Sequence, residues 1–186
     1  QGQTLDFPVY RDGFAAFEPE LILSVNSNAW KKHENWTADL ARETIDRVFL
    51  GAEIAASPNV NVNVLGPGSI ISDFGNNAGI VIGTEIPLSD LDAALSVVTE
   101  TRIDGHVINK CPPNPAPAGP LGALAFLYNH FQENSDLYDF PENLFVSSGA
   151  ITGVHESHVG AVGELEYEGL EIQTIRLVDG AENAPT

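Results

Sequence analysis

One segment of this 186-residue chain carries the apolar spacing of a long helix, and most of the remainder alternates in the manner of strands. In LGALAFLYNHF, Leu121, Leu124, Ala125, Tyr128 and Phe131 fall on one helical face, with Pro120 at or near the first turn, where its missing amide costs nothing. Phe17 to Val25, FEPELILSV, alternates and then runs apolar, as a strand with a buried face does. Asp104-Gly105, set between TRI and HVI, is the dipeptide of a type I′ hairpin turn. LFVSSGAITGV reads as a buried strand entering a Gly-rich turn, and GELEYEGLEIQTIRL as two strands around Glu168-Gly169. NVNVLG alternates with period two from Val60 until Gly66-Pro67-Gly68 breaks it, and Ile80 to Ile82 is a β-branched strand. Leu88 to Thr101 favours strand in its second half. The expected class is α+β, mainly β, with few helices.

The other segments are less regular. The stretch up to Gly13 is polar and turn-rich, and Asn26 to Trp36 reads as a loop. Thr37 starts a helix whose apolar face would use Leu40, Ile45, Val48 and Phe49, and GAEIAAS continues it as late helix or strand. Cys111 to Pro120, CPPNPAPAGP, holds five prolines in ten residues and cannot be regular structure. It is expected to be a rigid loop packed near the start of the Leu121 helix, and Asp139 to Glu142 to end that unit. A single domain over residues 1–186 follows.

Composition narrows the partners. Hydrophobic residues at 43% are enough for a core, and no apolar run approaches the ~20 residues a membrane helix needs. A formal net charge of −18 repels phosphate backbones and anionic lipids, so nucleic acid and membrane surfaces are poor partners and metal cations better ones. Solubility alone also explains such a charge. With Cys111 as the only cysteine, neither an intrachain disulfide nor a thiolate metal cage can form. The chain begins at Gln1 and contains no methionine, the pattern of a processed or trimmed product, which permits a secreted or periplasmic location. His155-Glu156-Ser157-His158 is not H-E-x-x-H and follows a Gly turn, so zinc-protease geometry is excluded.

Six segments, FEPELILSV, RVFLGAEIAAS, ISDFGNNAGIVIG, IPLSDLDAALSVVTETRIDGHVI, GPLGALAFLYNHF and LFVSSGAITGV, together resemble the 2-oxo-acid hydratase/decarboxylase branch of the fumarylacetoacetate hydrolase superfamily. That resemblance implies the family's C-terminal mixed β-roll or sandwich, and a bound divalent cation, Mg2+ or Mn2+, with Ca2+ as a further hard-cation candidate. It implies a small 2-oxo or diketo acid as substrate, lyase or hydrolase chemistry through an enolate, a homo-oligomer and, for most of the family, a cytoplasmic location.

Carried across, the family's E-x-E pair falls on Glu18 and Glu20, and its third metal ligand on Glu53. Residues two apart on a strand share a face, so Glu18 and Glu20 can converge on one ion. Two solvated glutamates on an edge strand give the same pattern. The substrate-binding turn S-G-A-L-T-G falls on residues 148–153, which makes Ser148, Gly149 and Thr152 candidates, and a small polar run falls on Asn76 and Asn77. Backbone amides and a hydroxyl in such a turn can hold a carboxylate, and a hairpin turn needs the same glycines. Ala56 stands where the hydratases carry Asp, and the N-terminal lysine or His-Glu base of the family has no counterpart. The catalytic residues are therefore not assigned, and a binding or assembly module that keeps the fold is the alternative reading.

Overall fold

A computed structural model describes residues 3–115, 117–137 and 141–181. The strands are β1 (Thr4–Val9), β2 (Phe14–Asn26), β3 (Ile45–Ser57), β4 (Asn77–Ile86), β5 (Thr99–Ile103), β6 (His106–Cys111), β7 (Asn143–Ser147), β8 (His155–Ser157), β9 (Val162–Tyr167) and β10 (Glu171–Asp179). The helices are α1 (Ala38–Arg42), α2 (Pro67–Ser72), α3 (Leu91–Ala94) and α4 (Pro120–Glu133). One five-stranded sheet has the order β1-β10-β9-β5-β6. The second has the order β4-β3-β2-β7, and β8 pairs with β2 beyond β7. β1 runs parallel to β10, and the other described pairings are antiparallel. The molecule is an α+β protein, mainly β.

β2 and β3 are the spine. Their register pairs Phe17 with Ile54, Leu21 with Leu50 and Leu23 with Val48, all fully buried. These side chains belong to one core with Leu165 and Tyr167 of β9 and Ile175 and Leu177 of β10. The two sheets therefore pack face to face, each burying the apolar half of its alternation. Both faces of β2 are covered for nearly its whole length, which explains why its sequence runs apolar instead of alternating cleanly.

α4 matches the helix read from the sequence and buries Leu121, Leu124, Ala125, Tyr128 and Phe131. Tyr128 packs on Trp36 at 4.5 Å between ring centroids, and its hydroxyl lies 3.0 Å from Thr44 Oγ1. The hairpin at Asp104-Gly105 forms with φ of 50° and 79°, both positive as a type I′ turn requires.

Four expectations are corrected. The opening stretch is not all turn, because β1 gains a full ladder against β10. The helix begun at Thr37 stops at Arg42: both the amide and the hydroxyl of Thr44 donate to the Ala41 carbonyl, and the chain turns directly into β3. NVNVLG is a turn, since Asn59 Oδ1 accepts from the Asn61 amide and the Asn59 carbonyl from that of Val62, which diverts the backbone from a ladder. β7 is half exposed rather than buried, being paired among the described residues on one side only, to β2. The proline-rich run starts at the last residue of β6, Cys111, and ends at the first of α4, Pro120; between them its described residues have no regular structure. Of the segment expected to end that unit, Asp139 and Phe140 lie outside the described residues.

Candidate metal and oxo-acid site

The spine carries the carboxylates. β2 alternates Phe14, Ala16, Glu18, Glu20 and Ile22 on the face turned away from the inter-sheet core. Its ladder sets Glu18 opposite Glu53 and Glu20 opposite Gly51 on β3, so all three glutamates share that face. From β7, Ser147 pairs with Ile22 and reaches across β2 to donate to Glu53 Oε2 at 2.6 Å. The amide of Gly149 donates to Glu20 Oε2 at 2.8 Å. The Gly-rich turn and the E-x-E strand are therefore one unit.

Electrostatically the group is unbalanced. Glu20 is 2% exposed, and no ion pair among the described residues involves Glu18, Glu20 or Glu53. Burial pushes Glu18 up to about 7, and the neighbouring Glu53 charge adds to it. Burial also pushes Glu20 up to about 7, opposed by the Gly149 amide, with the charges of Glu53 and then Glu18 raising it further. Uncompensated buried carboxylates are costly unless they are protonated, paired or metallated.

The donor chemistry fits a hard cation: three carboxylates on adjacent strands, with no cationic side chain in their way. The arrangement is open. Among the described residues, no three or more His, Cys, Asp or Glu side chains form a group that could hold a metal ion as they stand. Two carboxylate oxygens are instead satisfied by Ser147 and the Gly149 amide.

Gly149, whose amide holds Glu20, also lines a small cavity of about 110 Å³ with Ser148 and Ile151 of the turn and Pro113, Asn114 and Pro120 of the proline-rich segment; none of the three glutamates lines it. Ser148 Oγ is buried and has no hydrogen-bond partner among the described residues. Thr152 lies elsewhere: its hydroxyl contacts Thr101 Oγ1 at 2.7 Å and His155 Nε2 at 2.8 Å, inside the structure. Asn76 turns its amide to Asn63 Oδ1, while Asn77 pairs with Ala55, two residues along β3 from Glu53. A larger cavity, about 1080 Å³, includes Asn77 with Tyr10, Arg11, Asp73 and Phe74, and none of the three glutamates lines it either.

Two supporting groups escaped sequence reading. Ser147 was findable in principle, since strand parity with Phe145 turns it toward β2's outer face. Tyr167 was not. Its hydroxyl donates to the carbonyls of Glu20 and Gly51, a contact made across the whole core from the opposite sheet.

No family model matches the sequence, and no curated protein does so either. Solved structures do. The 4-oxalocrotonate decarboxylase from Pseudomonas putida G7, complexed with magnesium and adipate, superposes with a TM-score of 0.72 at 18% identity, over 94% of this chain and 66% of that one. A fumarylpyruvate hydrolase from Pseudomonas aeruginosa, in complex with Mn2+ and pyruvate, gives 0.60 at 14% identity, over 96% and 72%. A fumarylacetoacetate hydrolase family protein from Yersinia pestis CO92 gives 0.60 at 13%, over 95% and 78%. This chain spans slightly under two thirds of the length of the decarboxylase. Its fold is the fumarylacetoacetate hydrolase fold.

Proposed function

We propose that this chain binds Mg2+ or Mn2+ through Glu18, Glu20 and Glu53 and acts as a lyase or hydrolase on a small 2-oxo or diketo acid. The observation that carries the reading is the register that gathers three carboxylates on one face, beside a Gly-rich turn and without a cationic partner. Two of the solved neighbours named above, the decarboxylase and the fumarylpyruvate hydrolase, hold magnesium or Mn2+ with a small acid, which supports the same reading. A bound cation supplies positive charge against the negative charge that develops on a substrate oxo oxygen. The chain's own groups do the rest. Ser147 and the Gly149 amide fix the orientation of Glu53 and Glu20. Ser148 lines the cavity next to Gly149, and its Oγ, without a hydrogen-bond partner among the described residues, is the candidate hydroxyl for a substrate oxygen.

The test is turnover of a panel of acylpyruvates with Mg2+ or Mn2+, followed by loss of the diketo-enol absorbance. Metal-dependent turnover that falls at least about 100-fold on Glu20→Gln is expected, as for loss of a group that stabilises developing charge. Turnover indifferent to Glu20→Gln contradicts the site. Metal binding without any turnover would favour the binding-module reading.

A further inference from the structure

Between Glu53 and Glu85 the chain carries a single charged residue, Asp73, although 18% of all its residues are charged. The part of that stretch between β3 and β4, residues 58–76, forms an arch over the outer face of the spine. Its underside is accounted for. Val62 is buried and Ile70 partly buried against Phe14 and Ala16 of β2 and Ala55 of β3. Asn76 donates from Nδ2 to Asn63 Oδ1 at 3.2 Å, which ties the two limbs of the arch together. α2, which lies between those limbs, is only about 9 Å long, so the arch is one small protrusion.

Its upper side has no such partner within the chain. Val64, Leu65, Ile71 and Phe74 are 84%, 62%, 77% and 89% exposed, and Val60 nearby is exposed as well. Phe74, Gly75 and Asn76 follow one another at φ of 53°, 73° and 62°. Such a run is strained at its two non-glycine members, and it leads into β4 with the Phe74 ring left in solvent. The four large side chains leave on the order of 600 Å² of apolar surface accessible, the upper end of what a monomer exposes in one patch. That is most of the ~800 Å² each partner contributes to a standard protein interface.

Charge decides what covers it. At a net charge of −18, two copies of the chain repel each other over most of their surfaces. A basic partner would be drawn to the carboxylates elsewhere and gains nothing from an arch that is uncharged up to Asp73. Repulsion between copies is weakest, and the apolar gain largest, where this neutral face meets itself. We infer that two copies of the chain dimerise through the 58–76 arch about a two-fold axis, each burying Val64, Leu65, Ile71 and Phe74 against the same patch of the other. The inference concerns association alone and stands apart from the proposed metal site.

Sedimentation of the full chain over about 1–100 µM tests it. The parent is expected to form a dimer, and Ile71→Asp/Phe74→Asp to weaken it at least about 100-fold. Ile71→Leu/Phe74→Leu, which keeps the patch apolar, should retain the dimer, as should Val107→Asp at an exposed apolar position on β6. Raising sodium chloride from about 0.05 to 0.5 M should tighten the dimer severalfold, because screening relieves the repulsion and leaves apolar contact untouched. Looser association at high salt would mean ion pairing and overturns the inference. Amide hydrogen exchange of the parent reads the same face without any substitution: protection over residues 60–74 should rise with protein concentration, and protection indifferent to concentration overturns the inference. So does a dimer that survives the Asp double variant or is split equally by Val107→Asp, either of which puts the interface elsewhere. A parent that stays monomeric at about 100 µM also overturns it. Flotation with phosphatidylcholine vesicles, lost in the Asp double variant, would then give the face to a neutral lipid surface.

Discussion

Glu18 and Glu20 sit where the fold loses free energy unless something compensates them. Each is held near 7 by burial, against an ordinary value of 4.5. Between those values the folded protein binds more protons than the unfolded chain, so stability falls as pH rises from about 4.5 to 7 and stays low above it. For the coupled pair, partly screened by solvent at Glu18, the loss is on the order of 1–3 kcal/mol. In a chelator, the melting temperature should therefore be higher at pH 5 than at pH 8. General repulsion within a chain of charge −18 acts in the same direction. The Glu18→Gln/Glu20→Gln double variant separates the two effects: it should be the more stable protein at pH 8 and show a shallower pH slope. An unchanged slope would mean that these carboxylates are not the source.

Elements were legible where local signals and tertiary context agree. The α4 face, the Asp104-Gly105 turn and the β2 strand could all be read because side-chain period and turn chemistry are properties of a few neighbouring residues. β3 could not be, since a central strand covered on both faces loses the alternation that would identify it. β1 and its parallel partner β10 lie 170 residues apart in the chain, as in the pairing of Thr4 with Thr174, and no local pattern announces such a ladder. The same limit governed the site. The glutamates stood out in sequence through the E-x-E spacing and the family resemblance, whereas the support beneath them comes from the other sheet. Tyr167 is fully buried, and its hydroxyl serves the carbonyls of two paired site residues. Tyr167→Phe should cost about 1–3 kcal/mol in denaturant unfolding, because it leaves buried carbonyls unpartnered. Tyr10→Phe, half exposed, should stay within about 0.5 kcal/mol of the parent. Equal effects at the two positions would remove Tyr167 from the account.

At the scale of the whole molecule the central claim is that the acidity has a focus. Every cation screens a chain with 26 acidic and 8 basic residues, whereas a site answers to one kind of ion and to particular glutamates. A ligand bound only by the folded state adds RT ln(1 + [L]/Kd) to stability, about 2.7 kcal/mol at 100 times Kd, or roughly 5–11 °C for a domain of this size. The decisive measurement is the melting temperature in saturating Mg2+ or Mn2+ against sodium chloride at matched ionic strength, for the parent, Glu20→Gln and the surface control Glu168→Gln. A shift of about 5–11 °C beyond the salt control, present in the parent and Glu168→Gln and absent in Glu20→Gln, is the predicted result. A shift reproduced in full by sodium chloride, or retained by Glu20→Gln, would contradict the account.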